Sequence, residues 1–236
     1  MKTPLENVLY PVVKRWVKRH FRCFESGINT GLLHSHADVV GVRDIGGDLS
    51  GDVETIIVEV KRGTEPFATA SGQTFGYSVY ANRVYLADKR KKPFTQDELH
   101  IASHLGIGLV EIRNMRCYEV LSSPFYNPIH KLNLMLLEQL GLGQCQLCGY
   151  FFETGGSKRE HSNLVKSDVQ KAIENGKGLI FWNCAVAKRK HKLGIRVSTD
   201  GTTWERRFVC PECVENLLAL QEKRVKSWFS EYGRGG

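Results

Sequence analysis

The sequence predicts an α/β core followed by a smaller α+β module. Three observations predict it: helical and strand-like periods alternate through residues 5–121, prolines 124 and 128 then break the pattern, and two C-x-x-C pairs appear only beyond residue 143. The boundaries expected are a core over 1–123, a linker with a connecting helix over 124–143, and a cysteine-bearing module over 144–236.

Each element has a local cause. Leu5, Val8, Leu9, Val12, Val13 and Trp16 recur at helical spacing over 5–21, with Lys14, Arg15, Lys18 and Arg19 on the remaining face. Strand-like runs follow at 21–28, 38–44 and 54–61, and the turn-rich IGGDLSGDV between the last two implies an antiparallel pair. A helical pattern runs from Phe67 to Ala81, RVYLA at 83–87 reads as a short buried strand, and KRKKP punctuates it. Thr95, with Glu98 three residues on and Gly106 at the far end, marks a capped helix over 95–106. GLVEIR at 108–113 and MRCYEVL at 115–121 read as closing strands, and 130–143 as the connecting helix. The core order is helix, three strands, helix, strand, helix, strand. In the second part, a helix is expected at 163–175, a strand at 178–186, a hairpin around Asp200-Gly201, and a helix ending the chain.

Composition narrows the classes. The chain has 236 residues with ordinary apolar and charged fractions, 42% and 25%, which disfavours disorder. No apolar run approaches the roughly 20 residues of a membrane span, and MKTPLENVLY lacks the apolar core of a signal peptide, so a cytoplasmic location is expected. The net charge of +8 leans toward a polyanionic partner. It is uneven: 17 basic face 15 acidic residues in 1–142, but 16 face 10 in 143–236.

The stretch ETIIVEVKRG at 54–63 poses the chemical question. Its β-branched residues describe a strand buried on both faces, yet it contains Glu59 and Lys61. A carboxylate in such a strand is costly unless it is paired or holds a metal. Side chains alternate along a strand, so Glu59 and Lys61 share a face. Closing the hairpin with Asp44 near Glu54 places Asp38 across from position 60, beside both. Two neighbouring carboxylates repel, and Mg²⁺ would relieve the repulsion while polarising a phosphodiester and lowering the pKa of attacking water. Taken alone, a D-x-n-E-x-K string is a weak pattern, and a glutamate–lysine pair is often an exposed salt bridge. Asp52 and Glu54, near the turn, read as solvated loop carboxylates.

Asp38, then Glu59-Val60-Lys61, on consecutive strands after an N-terminal helix, resembles the PD-(D/E)XK nuclease superfamily. Ala37 stands where that pattern has a loosely kept proline. Gln73-Thr74-Phe75-Gly76-Tyr77 is similar to the Q-x-x-x-Y signature of several of its branches. The resemblance implies a restriction-endonuclease-like core over 1–121, with Mg²⁺ or Mn²⁺ on Asp38 and Glu59, and Lys61 assisting the water. Gln73 and Tyr77 would orient substrate, and Glu6 is the first-helix residue that fits an accessory acid. It implies a DNA endonuclease that leaves 5′-phosphates by in-line hydrolysis. Cutting both strands at once needs two sites, so a homodimer or an accessory protein is an expected partner. A non-catalytic nucleic-acid-binding module on the same fold is the alternative.

Cys145-Gln-Leu-Cys148 and Cys210-Pro-Glu-Cys213 supply the four thiolates of a structural Zn²⁺ site, in an arrangement that looks like a treble clef or zinc ribbon with an insertion between its knuckles. His161, Cys184 and His191 lie in that insertion and are read as structural side chains. Lys188, Arg189, Lys190 and Lys192, with Arg206 and Arg207, are expected to contact a nucleic-acid backbone. Nothing in the sequence separates DNA from RNA, duplex from single strand, or one biological pathway from another.

Overall fold

The computed structural model describes residues 6–32, 35–46, 52–145, 147–153, 179–182 and 206–210, together with Glu212, Cys213, Asn216 and Ala219. The chain divides into two compact units, Met1–Leu140 and Gly141–Gly236.

The first unit is a mixed α/β layer structure. Helix α1 (Tyr10–His20) leads into strands β1 (Glu25–Gly31), β2 (His36–Asp44) and β3 (Val53–Lys61). Helix α2 (Phe67–Gly76) follows, tightening into a 3₁₀ turn at Tyr77–Val79; then come β4 (Arg83–Asp88), α3 (Gln96–Leu105), β5 (Gly108–Arg113), β6 (Arg116–Leu121) and α4 (His130–Gln139). The strands form one sheet in chain order, with β3–β4 and β4–β5 parallel and the outer pairs antiparallel.

Both faces of the sheet are covered. On one, Tyr10, Val13 and Val17 of α1 pack on Val39, Ile56, Val58 and Val60. On the other, Ala70 of α2, Tyr77, Ala102 of α3 and Leu136 of α4 pack on Val40, Ile57 and Leu86. Double coverage explains why β3 shows no polar alternation. It also assigns the odd-numbered positions of β3, including Glu59 and Lys61, to the α2 side.

Several boundaries differ from expectation. The first helix starts at Tyr10 because Pro11 lacks the N–H that a helix interior needs and stands instead in the first turn. Phe21, expected in a strand, closes α1 through its N–H to the Val17 carbonyl, and Arg22 turns the chain at φ 55°. The first strand therefore begins later, at Glu25. Helix α4 ends at Gln139, short of residue 143, and Gly141 turns the chain at φ 80°. Leu132 and Leu136 bind α4 into the core of the first unit. The capped helix α3 has both bonds of its capping box, Glu98 N–H to Thr95 Oγ1 at 3.3 Å and Thr95 N–H to Glu98 Oε2 at 2.8 Å. It ends at a left-handed Gly106 where a Cβ would meet the Tyr126 hydroxyl.

In the second unit, β7 (Leu142–Gln144) pairs antiparallel with β8 (Phe151–Glu153), and β9 (Leu179–Trp182) with β10 (Arg206–Val209). The helix expected at 163–175 and the hairpin at 197–204 lie outside the described residues. Among the described residues, no helix is long and apolar enough to cross a membrane.

Candidate active site and metal centre

The β2–β3 ladder runs from Asp44↔Val53 to Val39↔Val58. Its pairs are one residue off the expected Asp44–Glu54 register, and Asp38 lies just beyond the last of them. The Asp38 carboxylate accepts the Val60 N–H, next to Glu59, on Oδ2 at 2.8 Å.

Asp38 and Glu59 are both 0% exposed and Lys61 is 6% exposed, so none can be satisfied by bulk water. Their partners come from three other elements. The Tyr10 hydroxyl of α1 donates to Asp38 Oδ1 at 2.7 Å. The Tyr77 hydroxyl donates to Glu59 Oε2 at 2.9 Å and lies 3.1 Å from the His36 carbonyl, while receiving the Gln73 amide at 3.2 Å. Lys61 Nζ lies 2.9 Å from Glu59 Oε1, donates to Gln73 Oε1 at 3.1 Å, and reaches Glu65 Oε2 at 2.5 Å. Its three N–H groups thus face three oxygens.

The spacing of α2 produces this convergence. Gln73 and Tyr77 are one turn apart on the face that packs over β3, so one can hold the lysine while the other holds the glutamate. Burial alone would push the Lys61 ammonium down, but the bonds and charges of Glu65 and Glu59 outweigh it and hold its pKa above 10.5. Lys61 is a cation at neutral pH. Burial first, then the neighbouring carboxylates, push the Tyr10 and Tyr77 hydroxyls well above their usual range, so both stay protonated as donors.

A cleft of about 740 Å³ opens beside these residues, lined by Asn7, Tyr10, Ile28, Asn29, His36 and Gln73 among others. Among the described residues, no lysine, arginine or carboxylate lines it. Asn29 takes φ 52°, a left-handed conformation that asparagine tolerates better than most residues.

Glu6 lies just before α1, and its charge acts on the Tyr10 hydroxyl that holds Asp38. Glu54 is not a solvated loop carboxylate: it sits within β3, 1% exposed, bonded by Arg43 and Arg83. A buried carboxylate between two guanidiniums is a structural pair. Asp52 is exposed, and its backbone carbonyl accepts from Ile45 and Gly46. Tyr10 and Glu65 were not foreseen. Tyr10 could have been flagged as a polar-tipped residue on the apolar stripe of α1, whereas Glu65 lies in a loop whose path no periodicity describes.

In the second unit, the sulfurs of Cys145, Cys148, Cys210 and Cys213 all lie within 4.8 Å of one another, a group that could hold a metal ion. A tetrahedral zinc–thiolate centre has sulfur–sulfur edges of about 3.8 Å, and Cys148 and Cys210 are 3.6 Å apart. Cys145 Sγ accepts backbone N–H bonds from Leu147 at 3.4 Å and Cys210 at 3.3 Å. Burial raises its pKa, but backbone hydrogen bonds from Cys148, Cys210 and Leu147 outweigh it and bring the thiol down to about 7. His161, Cys184, His191, Lys188, Arg189, Lys190 and Lys192 lie outside the described residues. Of Arg206 and Arg207 only the backbone, in β10, is described.

No family model matches the chain, and no curated protein matches it. Among solved structures it is similar to SPO1766, a protein of unknown function from Silicibacter pomeroyi, with 19% identity and a TM-score of 0.44 over 59% of this chain and 86% of that one.

Proposed function

We propose that the chain is a metal-dependent deoxyribonuclease with a restriction-endonuclease-like core, and that its four clustered cysteines hold a structural Zn²⁺. The observation that carries the nuclease reading is the meeting of Asp38, Glu59 and Lys61, three fully or nearly buried charges, at one end of the sheet beside an open cleft. Buried charges are costly and here they do not merely neutralise one another. Two carboxylates share the site with one lysine, which Glu65 also engages.

The donor set fits a hard divalent cation. It consists of oxygens, and Mg²⁺ is commonly held by one or two carboxylates plus substrate oxygens and waters. Asp38 and Glu59 would hold it. Such an ion supplies Lewis-acid polarisation of the phosphoryl group and a more acidic water. The protein's own groups do the rest. Tyr10 and Tyr77 fix the two carboxylates, and Gln73 ties Tyr77 to Lys61. Lys61, a fixed cation rather than a base, stabilises negative charge that develops on the phosphoryl oxygens.

The test is incubation of the full-length protein with supercoiled and linear DNA in Mg²⁺, Mn²⁺ or EDTA, beside Asp38→Asn and Glu59→Gln. The expected result is metal-dependent nicking of the circle, reduced by at least about 10²-fold in folded variants. Equal DNA binding by all proteins with cleavage by none, across duplex, single-stranded and branched substrates, would replace this reading with a non-catalytic binding module.

A further inference from the structure

The run KRKKP after β4 carries charges that the proposed catalysis does not use. It is anchored directly to the candidate site: the Lys89 N–H bonds the Lys61 carbonyl at 2.9 Å, and Lys61 and Asp88 are register partners across β3 and β4. Gly63 packs so closely beneath it that a Cβ there would lie 2.9 Å from the Lys89 carbonyl.

The four cations of this run divide by role. Arg90 turns inward, donating to Glu98 Oε1 at 2.8 Å, lying 3.9 Å from Asp88 Oδ2, and covering the Phe94 ring at 4.5 Å. It holds the loop in shape. Lys89, Lys91 and Lys92 are exposed, as is part of neighbouring Arg62. None of these four enters an ion pair among the described residues, although Arg43, Arg83, Arg90, Arg113 and Lys61 all do. Several nearby acids are engaged elsewhere: Glu65 with Lys61, Glu98 with Arg90, and Glu111 with Arg113, while Asp88 is buried 3.9 Å from Arg90. Four like charges follow the adjacent ends of β3 and β4, with no ion pair among the described residues.

We propose that Arg62, Lys89, Lys91 and Lys92 grip the DNA phosphate backbone immediately beside the bond to be cut. The layout along the sheet end supports this partner. The cleft flanks the carboxylates toward β1 and β2, and the cationic loop flanks them toward β4, one strand spacing of about 4.8 Å from β3. A duplex strand carries a phosphate for about every 3.4 Å of axis, so a backbone entering the site brings successive charges past the three lysines. The inference rests on the nuclease reading for its substrate, but its readout is binding.

The experiment measures anisotropy of a labelled DNA duplex with full-length Glu59→Gln protein, which separates binding from cutting, across a salt series. Each phosphate contact contributes about 0.9 to the slope of log K against log salt. Lys89→Gln/Lys91→Gln/Lys92→Gln added to that background should lower the slope by about 2–3. Arg15→Gln/Lys18→Gln/Arg19→Gln, on the exposed face of α1, removes the same charge and should leave the slope within about 1 of the parent. An unchanged slope in the loop variant, an equal fall in both variants, or no binding by the parent overturns the proposal. Cleavage by otherwise wild-type protein is scored separately. Cutting with an unaltered slope rejects the loop and keeps the nuclease; an altered slope without cutting rejects the nuclease and keeps the surface.

Discussion

Replacing Lys61 by methionine tests the electrostatics of the candidate site most directly. Lys61 faces Glu59 at 2.9 Å and Glu65 at 2.5 Å, but the two acids differ in what they can do once it is gone. The Glu65 side chain is 31% exposed and can turn to water; that of Glu59 is 0% exposed and cannot. The loss should therefore be that of half of a buried pair, about 3–5 kcal/mol. Against a typical domain stability of about 5–15 kcal/mol this is a large fraction. Removing the other half as well should recover much of it, so Lys61→Met/Glu59→Gln is expected to be more stable than Lys61→Met alone. The pH dependence follows from the raised pKa of Lys61. A group whose folded pKa exceeds its unfolded value contributes stability below the unfolded pKa and loses it as pH rises through the folded one. Lys61's own contribution to the wild-type advantage should thus be intact at neutral pH and be lost only as pH rises past the usual lysine range. Urea unfolding followed by circular dichroism at several pH values reads both. A variant as stable as wild type at pH 7, or an advantage that widens above pH 10.5, would refute the argument.

Two other sites give independent expectations. Glu54→Gln removes the charge that Arg43 and Arg83 share, but both guanidiniums are partly exposed, so it should cost only about 1–3 kcal/mol in urea unfolding while leaving any DNA cleavage intact at permissive temperature. The cysteine group should bind one Zn²⁺ per chain, measured by elemental analysis; Cys145→Ser or a strong chelator should abolish it and lower the melting temperature, since metal binding there is part of the folding free energy.

What the sequence disclosed and what it withheld have physical causes. Elements written in local chemistry were legible: Thr95 and Glu98 announce α3, Gly106 ends it, and the doubly apolar run of β3 announces a covered strand. That Glu59 and Lys61 share a face follows from the strand period, and that Gln73 and Tyr77 share one follows from the helix period, although the latter two were singled out by the signature they resemble. Register was less legible. A hairpin closed by a long turn can slip by one residue without changing the pattern of either strand, and that slip separates the expected Asp44–Glu54 pair from the observed Asp44–Val53 pair. Least legible were the groups brought in by loops and by other elements. Nothing near Glu65 in the sequence reports that the chain doubles back onto Lys61, and nothing near Glu54 reports Arg83, 29 residues away.

That doubling back makes Gly63 the remaining position where the reasoning can fail. The chain must reverse between Lys61 and Glu65 for the latter to reach the lysine, and Gly63 does so at φ 71°. Two costs would follow from a side chain there. Left-handed backbone costs a residue with a Cβ roughly 1–2 kcal/mol, and that Cβ would also lie 2.9 Å from the Lys89 carbonyl and 3.5 Å from the Arg90 Cα. Lys89 cannot simply withdraw, because its N–H is bonded to the Lys61 carbonyl. Alanine should incur both costs, whereas asparagine, more at ease in the left-handed region, should relieve the first but not the second. Gly63→Ala is therefore expected to be less stable than Gly63→Asn, and both less stable than wild type. Both should also weaken DNA binding, since the shift falls on Lys89 and its neighbours. Wild-type stability and affinity in Gly63→Asn would show that the backbone angle alone matters, and that the close approach between the two loops does not hold the cationic rim in place.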